Sequence, residues 1–387
     1  MRIVFSIASL DAVDGGPSNA VLAISRELAL RSHDVIIVAP GIRGERYPDS
    51  LADARRAGVH ISTVWVKRKS RWRYSLGLAR QLKADVRTAD TVSIHGFYQF
   101  PALFTYHLCR LYGKPFVLQP HGALEPYQQN KSKVVKRVYM RLGGRGCIRR
   151  AVAVNSASDA EASNIGTQFP EAKPRVIGMG IPTVGPQVST GDSGSNRSND
   201  ALCHVLFLSR IARKKRLDLL VSALSPIADL PWQLSIAGTG SSAEEAAVRS
   251  HIEKLGLTSR VLWLGHVENA TKDRALRNSD IFVLPSENEN FGQVVTEAMA
   301  FGLPVVTTKQ VGAAEHVLRS EGGIVIPRPD AEMLSSAIAT LIAEPAKRQS
   351  MGSNARLYAT RFLTWQAVAG HLEEEFQADQ FKPGAGI

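Results

Sequence analysis

The sequence of 387 residues is poor in several residue types and patterns, and each shortage excludes something. Its 3 cysteines, Cys109, Cys147 and Cys203, lie far apart without Cys-x-x-Cys or Cys/His ligand spacing. Neither a disulfide framework nor a zinc site is indicated, and a reducing compartment fits. Aromatic residues are only 7% of the chain, sparse for stacking successive bases, and no stretch resembles a recognised DNA- or RNA-binding module. No apolar run approaches the roughly 18 residues needed to cross a bilayer. The opening run, Met1 to Leu10, could be taken for a secretory signal because Arg2 precedes mostly apolar residues. Followed by Asp11, Asp14 and a glycine turn, it reads equally well as a first buried strand.

Acidic residues are short in one half only. The net charge is +12, from 47 Lys+Arg against 35 Asp+Glu. Residues 1–175 hold 27 basic and 13 acidic side chains and the remainder 20 and 22, so the surplus belongs to the N-terminal half. One cluster, Lys67, Arg68, Lys69, Arg71 and Arg73, lies around Trp65 and Trp72. A second stretch, 130–150, carries Lys131, Lys133, Lys136, Arg137, Arg141, Arg145, Arg149 and Arg150 with no acidic residue, interleaved with Val134, Val135, Val138, Met140 and Leu142. Such a segment suits an anionic membrane surface, or is simply a solvated helix face.

What is present is the composition of a soluble globular protein, 44% apolar and 21% charged. At about 150 residues per domain, the length suggests two to three domains. Short β-rich runs alternate with helical patterns: Ile3 to Ala8, Asp34 to Ala39, Val59 to Val64, Thr91 to His95, Pro115 to Gln119, Ala151 to Asn155 and Arg175 to Ile177. The alternation restarts with His204 to Leu208, Gln233 to Ala237, Val261 to Leu264, Ile281 to Leu284, Pro304 to Thr307 and Gly323 to Ile326. Alternation of this kind means βαβ units and parallel sheets. Residues 183–200, rich in Gly, Ser and Asn, read as a flexible linker. The expected class is therefore α/β, with two doubly wound, Rossmann-like domains, 1–182 and 201–364, whose parallel sheets face across a cleft. A final segment, 365–387, has helical spacing at Val368, Leu372 and Phe376 and is expected to pack back across the domain join.

The most informative stretch follows the run Ile281 to Leu284. A polar loop turns at Asn290-Phe291-Gly292, and a helix then runs to Gly302-Leu303-Pro304. A helix N-terminus there offers N–H groups and a positive dipole end to a phosphate. Glu289 precedes the helix and Glu297 lies about two turns down it if it starts near Phe291. Carboxylates so placed suit vicinal sugar hydroxyls, although ordinary surface carboxylates fit the spacing too. Upstream, Ser209-Arg210-Ile211-Ala212-Arg213-Lys214-Lys215-Arg216 places cations after the run His204 to Leu208, where they could neutralise a diphosphate.

The pattern Pro285-Ser286, Glu289-Asn290-Phe291-Gly292, Glu297-Ala298-Met299-Ala300, Gly302 and Pro304-Val305-Val306 resembles the E-x7-E region of the retaining family 4 glycosyltransferases, which have the GT-B fold. Arg210 and Lys215 match that family's phosphate-binding cations. Gly15-Gly16-Pro17 resembles its first glycine loop, Ile94-His95-Gly96 a strand end facing the cleft, and Pro120-His121-Gly122 the loop with its active-site histidine. Ser156 and Glu161 fall in a post-strand Ser-x4-Glu element, Gly238-Thr239-Gly240 in the donor domain's glycine turn, and Gly312 and Glu315 in a late loop. The resemblance implies that Glu297 binds the ribose hydroxyls, Glu289 a donor-sugar hydroxyl, and Arg210 and Lys215 the diphosphate. Gly15, Gly16, Gly238, Asn290, Phe291 and Gly292 would form the donor site, and His121 would line the reaction centre. Residues other than these leave His95 and Glu161 as acceptor or cleft candidates. Without the resemblance, both histidines, each following a buried strand, read sooner as satisfied core residues than as site residues.

Two departures stand out: Arg216 replaces the usual Gly after the loop lysine, and Gly178-Met179-Gly180 replaces Pro-Asn-Gly at the end of the first domain. There is no Asp-x-Asp, so the resemblance implies transfer with no metal and no cofactor, the nucleoside-diphosphate sugar being the donor substrate. The expected activity is retaining transfer of a hexosyl unit, UDP- or GDP-linked, to a saccharide acceptor, lipid-linked at the cytoplasmic membrane face, in exopolysaccharide, O-antigen or capsule assembly. The expected localisation is cytoplasmic, peripheral on that membrane through the basic N-terminal domain, with no nucleic-acid partner. Two other readings compete. Gly238-x-Gly240-x-x-Ala243 is a partial dinucleotide fingerprint, with Glu253 as ribose-binding acid, pointing to an NAD(P) oxidoreductase. The basic surface alone points to a non-enzymatic protein that binds anionic membrane or nucleic acid.

Overall fold

The computed structural model describes residues 1–11, 16–41, 45–66, 72–125, 132–182 and 202–380. Gly15, Lys67, Arg68, Lys69, Arg71, Lys131 and the segment 183–200 lie outside the described residues. The chain divides into two compact units, Met1–Gly180 with Trp365–Ile387, and Ile181–Thr364.

The first unit contains a seven-stranded sheet in the order β3-β2-β1-β4-β5-β6-β7. Its strands are β1 (Arg2–Ser6), β2 (Asp34–Gly41), β3 (His60–Trp65), β4 (Thr91–His95), β5 (Phe116–Gln119), β6 (Val154–Ser156) and β7 (Pro174–Val176). The second contains a six-stranded sheet in the order β10-β9-β8-β11-β12-β13. Those strands are β8 (Cys203–Leu208), β9 (Trp232–Ala237), β10 (Val261–Gly265), β11 (Ile281–Leu284), β12 (Val305–Thr308) and β13 (Gly323–Ile326). Every strand pairing is parallel. Parallel strands need crossover helices on both faces, which is why β4 and β11 are buried along their whole length.

Strand ends differ slightly from the sequence reading. The first strand stops at Ser6 rather than Ala8, and β6 covers Val154–Ser156 rather than Ala151 to Asn155. Ala151 instead caps the helix Arg145–Arg150, so helical hydrogen bonding takes residues whose side chains alone suit a strand.

In both sheets the first strand lies inside and the order reverses beside it, between β1 and β4 and between β8 and β11. Ligands of doubly wound sheets bind outside the carboxyl ends of the strands at such a reversal. His95 is the last residue of β4; the Ser209–Arg216 loop follows β8, and the Pro285–Gly292 loop follows β11.

The helix Trp365–Gln380 belongs to the first unit and packs on the helix Gly16–Leu30. Val368, Leu372 and Phe376 are buried. The Arg31 guanidinium donates to the Glu373 carboxylate at 2.8 Å and to the Gln366 carbonyl at 2.8 Å, and the His33 ring is 3.0 Å from the same carboxylate. Gly180 lies against Trp365: a Cβ at Gly180 would come within 2.4 Å of the indole and 2.8 Å of the Trp365 Cα. Gly180, the position that Gly178-Met179-Gly180 shares with Pro-Asn-Gly, thus has a packing reason, whereas a Cβ at Gly178 would meet nothing within 4 Å.

Gly180→Ala should destabilise the first unit by about 1–3 kcal/mol, the usual cost of overpacking. Calorimetry should show one of two melting steps lowered and the other unmoved; two unmoved steps would contradict the packing argument.

Candidate active site

In the second unit, β8 delivers the loop that carries the cations. Lys215 sits in a short 3-10 turn, Arg213–Lys215, and is buried. Arg216 follows in the left-handed conformation, φ 53°, which a glycine adopts with less strain than an arginine. The Arg216 side chain holds this conformation from outside, donating to Glu287 at 2.7 Å and to Asp218 at 3.2 Å. The Glu287 amide donates to the Lys214 carbonyl at 2.8 Å. The loops after β8 and β11 are therefore strapped together, and the replacement of glycine is absorbed without opening them.

The loop after β11 is fixed from its other side. The Glu289 amide donates to the Gln310 carbonyl, the Gly312 amide to the Glu289 carbonyl and the Ala313 amide to the Phe291 carbonyl, at 3.1, 3.0 and 2.7 Å. Gly292 has φ 86°, and a Cβ there would meet Val311 at 2.7 Å; one at Gly312 would meet the Asn290 carbonyl oxygen at 2.1 Å. Both glycines let these two loops touch. The Phe291 ring is buried and makes an edge contact with His316, so any contribution of Phe291 to a ligand comes from its backbone.

Glu289 and Lys215 form an ion pair. Burial pushes the Lys215 ammonium below its ordinary pKa, with Lys214 and Arg210 adding to the shift and Glu289 opposing it. The helix after Gly292 is Gln293–Ala300 and begins two residues later than Phe291. Glu297 is therefore little more than one turn into the helix, not two, because the left-handed Gly292 ends the loop and only then can the helix start. One Glu297 carboxylate oxygen accepts from the Lys272 ammonium at 2.9 Å; the other is buried and has no hydrogen-bond partner among the described residues.

A cavity of about 800 Å³ opens here, with Arg210, Gly238, Lys272, Gln293, Val294 and Glu297 in its wall. Arg210, Gly238 and Glu297 are thus brought to one space. Lys215, Glu289, Asn290, Phe291 and Gly292 stand beside it rather than in its wall. Arg210 is exposed. Lys272 was not foreseen: it lies on the helix Asn269–Arg277, among other polar residues, and nothing in its spacing marks it.

Gly238 has φ 134°, and a Cβ there would be 1.9 Å from the Ser209 carbonyl oxygen; one at Gly240 would be 2.3 Å from that of Ile211. This turn is glycine-rich because the Ser209–Ile211 loop lies on it. Glu253 lies in the helix Ser242–Lys254, not at a strand end as the ribose-binding acid of a dinucleotide site would. The fingerprint that suggested an oxidoreductase is accounted for by packing. Among the described residues, no group of three His, Cys, Asp or Glu side chains could hold a metal ion.

In the first unit, His95 is buried at the end of β4 and stacks on Phe5, with ring centroids 5.3 Å apart. Its Nδ1 is 2.9 Å from Nε2 of His121, and its Nε2 is 2.8 Å from the Ser93 hydroxyl. His121 has φ 51° and is followed by Gly122 at φ 74°. Glu161 holds this turn, accepting from the Gly122 amide at 2.9 Å and from the Ala157 amide at 2.8 Å. Its two oxygens are committed to backbone, so Glu161 positions the histidine loop. Burial drives the His121 pKa down to about 4 and, with His121 nearby, holds that of His95 well below the usual histidine range. Gly16 opens the helix Gly16–Leu30, and a Cβ there would meet nothing within 4 Å.

The basic stretch forms the helices Lys133–Tyr139 and Arg145–Arg150 around a π-helical turn, Met140–Gly144. Val134, Val135, Val138 and Leu142 are at least half exposed, while Tyr139 is buried against Phe97 and Tyr98. No helix of the described residues is long and apolar enough to cross a membrane.

A model of the glycosyl transferase 4-like domain matches residues 15–180 and one of glycosyl transferases group 1 matches residues 192–358, together most of the chain. The chain is 23% identical to the GDP-mannose:cellobiosyl-diphosphopolyprenol alpha-mannosyltransferase of Xanthomonas campestris, over 98% of this chain and 97% of that one. It is 32% identical to a D-inositol 3-phosphate glycosyltransferase of Arthrobacter sp., over 46% of this chain and 44% of that protein, so the match spans less than half of that relative's length. The crystal structure of Anabaena HepE in complex with UDP superposes with a TM-score of 0.75 at 20% identity, covering 98% of this chain and 100% of that one. At that identity the likeness establishes the fold.

The histidine pair makes a pH prediction. Unfolded histidine titrates near about 6.5, whereas folded His121 stays neutral down to about 4. Between those values the unfolded chain binds the proton and the folded one does not, so stability falls as pH is lowered through this window. Urea unfolding at about pH 7 and about pH 5 should show the loss, and His121→Gln should lessen it. An equal loss in the variant would assign the effect elsewhere.

Proposed function

Because the chain belongs to the family 4 glycosyltransferases of the GT-B fold, we propose that it transfers a hexosyl unit from a UDP- or GDP-linked sugar to a lipid-linked saccharide acceptor, with retention at the anomeric carbon. The observation that carries this reading is Glu297. Its second carboxylate oxygen, buried at the wall of a cavity shared with Arg210, has no donor among the described residues, and a ribose hydroxyl would supply one. A buried acceptor with no donor among the described residues is a place that a ligand's O–H fits.

From this contact the donor would run toward the cations. Arg210 and Lys215 neutralise the diphosphate and the charge that builds on it as the glycosidic bond breaks. The N-terminal end of the helix Gln293–Ala300 adds its dipole, with Gln293 and Val294 in the cavity wall. Glu289, kept in place by Lys215, takes a sugar hydroxyl. These fixed cations do what a bridging metal does in other transferases, which supports metal-independent transfer. For a front-face reaction, the acceptor oxygen gives its proton to the departing phosphate as the new bond to the anomeric carbon forms on the same face.

The acceptor's chemistry is read from the first unit. Cations of the stretch 133–150 beside exposed Val134, Val135, Val138 and Leu142 suit an anionic leaflet. A lipid diphosphate acceptor in polysaccharide assembly, exopolysaccharide, O-antigen or capsule, fits that surface, and the Xanthomonas relative is named for such an acceptor.

Thermal shift with UDP, GDP and their sugar conjugates, with and without chelator, tests the donor half. One nucleotide series should stabilise the protein, by about 2.7 kcal/mol at a hundred times Kd. Glu297→Gln should weaken that nucleotide roughly 10- to 100-fold, the worth of a charge-assisted hydrogen bond; an undiminished shift would remove the ribose contact. For the membrane half, the protein should float with vesicles containing phosphatidylglycerol at low salt and dissociate as salt rises. Val134→Glu with Val138→Glu should abolish flotation, and binding unaffected by both salt and substitution would contradict the assigned surface.

A further inference from the structure

Three side chains in the first unit form a single chain of hydrogen bonds: Ser93 hydroxyl, His95 ring and His121 ring. Each imidazole is neutral near pH 7, since burial holds both pKa values down. A neutral imidazole has one N–H and one bare nitrogen, so the direction of the first bond decides all the others. Two arrangements exist. Either every hydrogen points from Ser93 toward His121, or every hydrogen points back.

Ser93 settles the choice. It is buried, 1% exposed, and among the described residues its hydroxyl has only one partner, Nε2 of His95. If His95 donated to Ser93, the hydroxyl hydrogen would be buried without an acceptor, at a cost of about 1–3 kcal/mol. Ser93 therefore donates to Nε2, which places the His95 hydrogen on Nδ1. That hydrogen is donated to Nε2 of His121, 2.9 Å away, and the hydrogen of His121 is left on its own Nδ1. Among the described residues, Nδ1 of His121 makes no hydrogen bond. Phe5 and the turn held by Glu161 keep both rings in place.

We propose that Ser93 and His95 are positioning residues that lock His121 in the Nδ1–H tautomer, so that His121 meets the substrate as a hydrogen-bond donor and not as a base. The functional part rests on the transferase reading above; the tautomer does not. The donor would engage an oxygen of the sugar, a hydroxyl or one on which negative charge grows. Locking the ring in advance spares it from reorganising during turnover.

The test is a long-range proton–nitrogen correlation spectrum of the full chain with labelled histidine, His121 being assigned by its disappearance in His121→Gln. The hydrogen should lie on Nδ1 of His121. Ser93→Ala should mix or reverse the tautomers, Ser93→Thr should retain Nδ1–H, and His95→Phe, which keeps a ring against Phe5, should free the tautomer as Ser93→Ala does. With whichever donor the protein accepts, Ser93→Ala should lower kcat roughly ten-fold at unchanged donor KM, and Ser93→Thr should restore it. A hydrogen on Nε2 in the unmodified protein, or a His121 pattern indifferent to both Ser93→Ala and His95→Phe, would overturn the assignment. A shifted tautomer with unchanged kcat would overturn the donor role. Failure of the transferase reading looks different: no nucleoside diphosphate binds, while the tautomers respond as described.

Discussion

A parallel sheet buried on both faces leaves few places for polar chemistry. Helices cover its faces, apolar side chains fill the strands, and the backbone groups of the strands are consumed by pairing. Only the loops at the strand ends remain, and where strand order reverses those loops part to leave a crevice. Each unit meets this constraint in the same manner, with its first strand inside and its reversal beside it. The chemistry follows suit. His95 ends β4, the cations follow β8, and the paired carboxylates follow β11.

Around the cavity of the second unit, charge is organised in cross-loop pairs. Lys215 meets Glu289, Lys272 meets Glu297 and Arg216 meets Glu287, each pair joining segments distant in sequence. Such pairs are weak sources of stability when exposed. Here they order the loops and give the half-buried carboxylates of Glu289 and Glu297 cationic partners. Arg210 makes no ion pair among the described residues, and its charge helps to lower the pKa of Glu244.

The architecture and the principal cations and carboxylates were legible because they follow local rules: alternation of strand and helix, a polar loop after a strand, a cation-rich loop after another. What was not legible depends on partners from elsewhere. Lys272 reaches Glu297 from a separate helix whose own pattern is merely polar. Ser93 is one strand residue among many until β4 and β5 lie side by side and bring His95 to His121. Glu161 was visible as a residue but not in its role, since its bonds to Gly122 and Ala157 exist only once the loop has folded over it. The helix start at Gln293 was missed by two residues because the conformation of Gly292, not hydrophobic period, decides it.

The return of residues 365–380 to the first unit makes the second unit an insertion within the first, although the strand series run in plain succession. On the ribosome, residues 1–180 emerge long before the helix that covers Gly16–Leu30 and sets Trp365 against Gly180. The early unit waits with a bare apolar face while the whole of the later unit is synthesised. Completion of the first unit therefore follows synthesis of the second.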